Sequence, residues 1–278
     1  NYTGSNMHIS LDSALGRQRR LNSVGESALQ LAPGATAAYS LRSLTGADPI
    51  VVRVRRSSDD AERDFTVSEI SLGELVAFVG SGNDGFVTTW YDQSGNGRNA
   101  TQTTAANQPK IVSSGSLVSN GLDFDGSNDE LDMPSTIISN INSVSAFLVS
   151  KDASGFAVDI ALSISTGSGT LIDLNAHIGT TLANRYAGSS TSLGSADGAK
   201  HLTSLVVGDS NAESFQDGIS KGTISTVSGY TASGTIGSSN GSLFYDGQIE
   251  EVIIYDSNQG SNRVALETNI QSAYPTLP

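Results

Sequence analysis

Trp90, Tyr91 and Asp92 stand side by side in the stretch TTWYDQSGNGRNATQ, residues 88–102. An indole beside a carboxylate can stack on a sugar ring while the acid accepts hydrogen bonds from its hydroxyls, and Trp90 is the chain's one Trp. The plainer reading makes Trp90 a core anchor with its N–H paired. The following YDQSGNGRN (91–99) suits a tight turn in which Asp, Ser and Asn side chains satisfy the backbone and Gly supplies positive φ. A ligand-binding loop at a rim is the alternative. Asp123, Asp125 and Asp129, in GLDFDGSNDELDMP (121–134), form a second chemistry-bearing set. They offer the oxygen ligands that Ca2+ accepts, without the downstream Glu of a helix-loop-helix calcium loop. Turn stabilisation therefore competes with a Ca2+ site, the one cofactor these residues suggest. His8, His177 and His201 have no metal-ligand spacing, and the absence of Cys removes disulfides, thiolate zinc sites and thiol nucleophiles.

The formal charge of -13 is uneven, because residues 1–63 hold eight of the fifteen Lys and Arg against six acids. The acidic remainder repels nucleic acid and anionic membrane, so neither is an expected partner. In RVRR (53–56) the arginines alternate with valines, as on a half-exposed strand whose charges pair with Asp59, Asp60 and Glu62. No apolar run approaches the roughly 20 residues of a membrane span. The chain opens on Asn1 rather than Met, as expected of a processed chain or a piece of a longer one.

The elements that must position these residues are mostly short strands between Gly, Ser and Asn turns: SAFLVS (145–150), VDIALSI (158–164), LTSLVV (202–207) and EEVIIY (250–255). Alternation in the last places Ile249, Glu251, Ile253 and Tyr255 on one face and Glu250, Val252 and Ile254 on the other. Two short helices are expected. One carries Leu72, Leu75, Val76 and Val79 behind a Ser71/Glu74 capping box; the other carries the stripe Leu266, Ile270, Tyr274. Residues 1–35 have no sustained period and read as an arm or linker, followed by a single all-β sandwich domain over 36–278.

Four ordered pieces carry a family resemblance: GLDFDGSNDELDMP (121–134), FQDG (215–218), TIG (235–237) and FYDGQIEEVIIYD (244–256). Their order resembles a concanavalin A-like, laminin G-like jelly-roll β-sandwich. AAYSLRSL (37–44), VRVRRSSDDAERDF (52–65), the YDQSGNGRN block and NIQSAY (269–274) narrow the likeness to the catalytic domain of α-L-arabinofuranosidases of the arabinofuranosidase B type. The YDQSGNGRNATQTTAANQPKI block is also similar to marine bacteriophage virion proteins.

The resemblance implies where catalytic carboxylates would stand. A retaining glycosidase needs two, about 5–5.5 Å apart. The family's nucleophile is the Glu of an "A-D-L-E-N-G" strand, whose counterpart here is IDLNAHIG (172–179). Asp173 and Leu174 match, but Asn175 occupies the Glu position, and an amide is a poor nucleophile. The acid/base Asp of "G-G-D-N-S" maps onto SGTIGSSNGSLFYDG (233–247), which has no acid before Asp246. No catalytic residue is therefore assigned. An active hydrolase would have to draw on Asp159, Asp173, Asp209 or Asp246.

Trp90, Tyr91, Asp92, Asp173, Asn175, Tyr245 and Asp246 are the candidate ligand-binding residues. The resulting expectation is a noncatalytic bacteriophage structural or adhesion module with glycan affinity, on a virion surface or extracellular. Cell-surface glycan or other virion proteins would be its partners, in a homo-oligomer or multicopy assembly. An arabinofuranosidase-like hydrolase and a module of a bacterial surface protein are the alternatives.

Overall fold

A computed structural model describes residues 25–277, apart from 119, 135, 140–142, 154–158, 167–168, 179–180, 196, 209, 226–231 and 240. Its strands are antiparallel and build two layers. One layer orders Ala37–Ser40, Asp246–Tyr255, Ser145–Asp152, Lys200–Val207, Asn211–Gln216 and Ile219–Ser225 side by side. The other runs through Ser189–Ser195, Thr181–Tyr186, Gly169–Ile178, Ile160–Thr166 and Ser233–Ile236. It continues by Leu131–Asp132 and Ala100–Thr101 to Gly85–Trp90, Ile50–Arg56 and Glu62–Thr66. Lys110–Ser113 and Leu122–Asp125 join the layers at one edge. Gly121 opens that joining strand because a Cβ there would lie 2.2 Å from the Ile249 carbonyl oxygen.

The main core fills the space between the layers, with Ala146, Leu148, Leu205, Val252 and Ile254 facing Leu162, Ile164, Ile172, Leu174 and Ile236. A second core lies on the outer face of the six-stranded layer. There Ala38, Phe147, Val149, Leu202, Ile253 and Tyr255 pack under Leu266, Ile270 and Tyr274 of the C-terminal helix. Burial on both faces explains why EEVIIY is apolar without interruption after its two glutamates.

Ile249 is on the other face from the one that alternation gives it. Val149 pairs with Glu251 but Ser150 pairs with Ile249, so Glu250 is the extra residue of a β-bulge. Ile249 consequently joins Val252 and Ile254 in the inner core, and both glutamates turn outward.

The C-terminal helix, Arg263–Ala273, buries Leu266 and Ile270 as the stripe requires, with Tyr274 as its cap. The expected helix over 71–79 is two pieces, Val67–Ser71 and Glu74–Val79, broken where Gly73 takes a left-handed φ of 81°. Its capping box is Thr66/Glu69 rather than Ser71/Glu74, and Leu72 is exposed. Within the expected arm, residues 1–24 lie outside the described residues. Ala28 and Ala32, in and after the helical turn Ala28–Leu31, are buried in the second core. No described helix is long and apolar enough to cross a membrane.

Candidate functional site

The loop after Trp90 is a structural clasp. Asp92 Oδ1 accepts from the Ala38 and Ser94 amides at 2.9 and 2.8 Å, while its Oδ2 accepts from the Ser94 hydroxyl and the Arg98 amide. Gln93 spans three backbone groups of residues 40–44, and Asn96 donates to the Ala35 and Thr36 carbonyls. Gly95 and Gly97 supply the positive φ that the turn needs. Trp90 is fully buried against Tyr39, ring centroids 5.8 Å apart, so it is no sugar platform; its Nε1 has no hydrogen-bond partner. Tyr91 donates to Asp64 at 2.8 Å. The RVRR arginines are held by acids: Arg53 by Glu62, Arg55 by Asp60 and Arg56 by Asp59.

Asn175 and Tyr245 meet inside the sandwich. Along Ser145–Asp152 the inward face runs Ala146, Leu148, Ser150, Asp152, so the apolar stripe turns polar at one end. Asn175 Nδ2 donates to Ser150 Oγ at 3.0 Å and to Asp152 Oδ1 at 2.9 Å, and Tyr245 OH donates to the same Asp152 oxygen at 2.7 Å. Asn184 extends the bridge by donating to the Ser204 carbonyl at 3.2 Å. Asn175 therefore ties one layer to the other. Burial pushes the Tyr245 hydroxyl pKa well above its ordinary value, reinforced by Asp152.

Asp173, two residues earlier, faces the other way. The strand register shifts between Asp173 and Ala176, and Asn175 takes a left-handed φ of 53°. Such a bulge reverses the facing that a two-residue separation implies, and Asn tolerates that φ better than most residues. Asp173 sits in register with Ser163 and Arg185, whose Nη1 is 3.5 Å from its Oδ2. Burial pushes its carboxyl up to about 6 against the opposing pull of Ser163 and Arg185. The loop where an acid/base is expected does approach this face, since Ser239 Oγ lies 3.5 Å from Ser163 Oγ, but it brings hydroxyls. Asp246, half-buried, donates its amide to buried Asp159 at 3.3 Å. Asp209 lies outside the described residues.

Asp125 and Asp129 build a turn, while Asp123 lies within the strand Leu122–Asp125, in register with Gln248 and Lys110. Asp125 Oδ1 accepts from the Ser127 and Asn128 amides, and Asp129 Oδ2 accepts from the Asp125 amide at 3.1 Å. Among the described residues no three His, Asp or Glu side chains are placed to hold a metal. Burial, with Asp125 adding to it, pushes Asp129 up to about 7. A carboxylate raised in this way carries its full cost to stability at pH above its folded value; the cost shrinks as pH falls below that value and vanishes near the unfolded value of 3.8. Asp129→Asn is expected to raise stability at pH 8 by on the order of 1–2 kcal/mol and to change it little at pH 4. Chemical denaturation at both pH values checks this, and a Ca2+ ligand would give the opposite sign at pH 8.

Sequence reasoning missed two charged groupings. Glu251 receives Arg42 through two contacts, at 2.6 and 2.8 Å, plus Tyr274 OH at 3.0 Å, while Glu250 pairs with Lys200 at 2.8 Å. Both glutamates are buried. Two adjacent acids in an otherwise apolar strand were the available signal. His201 lies between Asp217 at 2.7 Å and Asp197 at 3.1 Å, with Asp217 the larger cause of a pKa raised to about 9. A raised histidine stabilises fully below its unfolded value near 6.5, and the gain is lost as pH rises through about 9. His201→Gln is expected to cost about 1–2 kcal/mol at pH 6, discounted because Asp197 is open to water, and almost nothing at pH 10. Urea melts at the two pH values read this directly.

No protein-family model matches the chain, and no curated protein matches it. Solved structures do. An α-L-arabinofuranosidase of glycoside hydrolase family 54, soaked with a cyclic sulfate inhibitor, superposes with a TM-score of 0.60 at 14% identity. An arabinofuranosidase complexed with arabinofuranosyl-α-1,2-xylobiose gives 0.56 at 13%. Each match covers 88% of this chain and 64% of the enzyme. Trypanosoma rangeli sialidase in complex with sialic acid gives 0.52 at 14%, over 95% of this chain and 40% of the sialidase. The chain thus spans under two thirds of each of these proteins. The likeness is one of fold: this chain is an all-β sandwich similar in architecture to the arabinofuranosidases that its motifs resemble.

Proposed function

We propose that this chain is a noncatalytic glycan-binding module, displayed in many copies on a bacteriophage virion or, in the second reading, on a bacterial surface. The observation that carries the noncatalytic part is Asn175. At the position where the resembling enzymes hold their nucleophile stands an amide that points into the sandwich and is spent on Ser150 and Asp152. The glycan part draws on the neighbours, whose structures hold an arabinofuranosyl xylobiose and sialic acid. The virion part draws only on the resemblance of the YDQSGNGRN block, a clasp in this fold, to that of phage virion proteins. Multicopy display would let weak sites act through avidity.

The test is a glycan array and a host-cell binding assay, run beside release of nitrophenol from an aryl α-L-arabinofuranoside. Glycan or cell binding without nitrophenol release is the expected result. Blank binding in both assays would leave only a scaffold role. Nitrophenol release abolished by Asp173→Asn would establish the hydrolase instead.

A further inference from the structure

We propose that the cleft over the outer face of the six-stranded layer, beside the C-terminal residues, binds a sugar carrying a carboxylate, as in a hexuronate. The inference rests on the glycan-binding reading and names its ligand class. The cleft encloses about 430 Å3 and is lined by Lys151, Lys200, Glu250, Gln248, Asn120 and Thr276, among others. That volume falls within the roughly 300–1,000 Å3 of small-molecule sites.

Charge placement is the main argument. The whole chain has four lysines and a net charge of -13, yet two of those lysines meet in this one cleft. Lys200, Lys151 and Gln248 form a row across three adjacent strands, because Lys151 is in register with Lys200 on one side and with Gln248 on the other. Like charges directly opposite on neighbouring strands are destabilising. Glu250, the bulge residue, answers Lys200 at 2.8 Å and holds it over the Tyr274 ring, 5.6 Å from the centroid. Lys151 is exposed, and no carboxylate of the described residues lies within ion-pair distance of it.

A bound carboxylate would supply the missing countercharge. Each ammonium has three donors, and Glu250 engages only one of the pair. Asn120 and Thr276 bring an amide and a hydroxyl that both donate to and accept from sugar hydroxyls, where sulfate can only accept, and Gln248, whose side chain hydrogen-bonds Asp123, closes the row.

The experiment is a calorimetric or NMR titration with methyl α-D-glucuronoside, its neutral counterpart methyl α-D-glucoside, and sodium sulfate, at low salt. The expected result is an affinity for the glucuronoside about tenfold above either control, as one charge-assisted contact supplies. Lys151→Met should lower that affinity about fivefold or more with the melting temperature unchanged or raised, since Lys151 has no ion pair to lose and faces a like charge in Lys200. Lys200→Met, with its melt measured, is the second variant. Equal binding of glucuronoside and glucoside, sulfate binding as tight as the glucuronoside, or an unaffected Lys151→Met overturns the proposal. If neutral glycans score on the array while the glucuronoside does not bind, this inference fails and the glycan reading stands. If no glycan binds in any format, both fail.

Discussion

Asn175→Glu is expected to destabilise the protein by about 3–5 kcal/mol and to confer no hydrolytic activity. The variant restores the enzyme family's residue type at the matching position, so a simple alignment would forecast gain of a nucleophile. The structure forecasts otherwise. Residue 175 points between the layers, where Asp152 already accepts from Asn175 and Tyr245. A second carboxylate there would be buried, would lose the two donated hydrogen bonds and would face Asp152 with like charge. No second carboxylate is placed to work with it either, since Asp173 is buried on the opposite face of the strand beside Ser163 and Arg185. Urea denaturation and an aryl arabinofuranoside assay on the same preparation test both halves. Activity gained at unchanged stability would mean that residue 175 opens onto a substrate.

The second large effect concerns Arg42. Arg42→Met is expected to cost about 3–5 kcal/mol, because Glu251 is 1% exposed and would keep its charge in the interior with only Tyr274 to answer it. Removing both partners is another matter. In the double variant Arg42→Met, Glu251→Leu the charges go together, and most of the loss should return, to within about 1–2 kcal/mol of the parent. The double-mutant cycle separates the burial of an orphaned charge from the worth of the pair. If the single and double variants were equally destabilised, Arg42 would matter instead through its stacking over the Tyr274 ring and its hydrogen bond to Asn269 Oδ1 at 3.0 Å.

The parts of this fold that were legible in the sequence are those in which hydrophobic period and strand or helix geometry agree. EEVIIY reads as a strand buried on both sides, and Leu266 and Ile270 give away the C-terminal helix. The YDQSGNGRN turn was also legible, because its Asp, Asn and Gly residues each do what turn chemistry asks of them. Bulges were not. The extra residue at Glu250 moved Ile249 to the opposite core, and the shift between Asp173 and Ala176 parted two site candidates that alternation would place together. A bulge adds one residue without altering composition, so period-two counting passes over it. Asp152 was missed for a related reason: its importance comes from the two strands that bring Asn175 and Tyr245 to it, 23 and 93 residues away in sequence. Trp90 failed as a platform because nothing local distinguishes a buried indole from an exposed one.

The most direct measurement is saturation-transfer NMR on the protein mixed with neutral and uronate-containing oligosaccharides, with the sugar anomeric signals followed over a day. Glycan binding without hydrolysis predicts transfer to an intact oligosaccharide and no new reducing-end signals. Reducing-end signals that grow with time, or no transfer to any glycan, would contradict it.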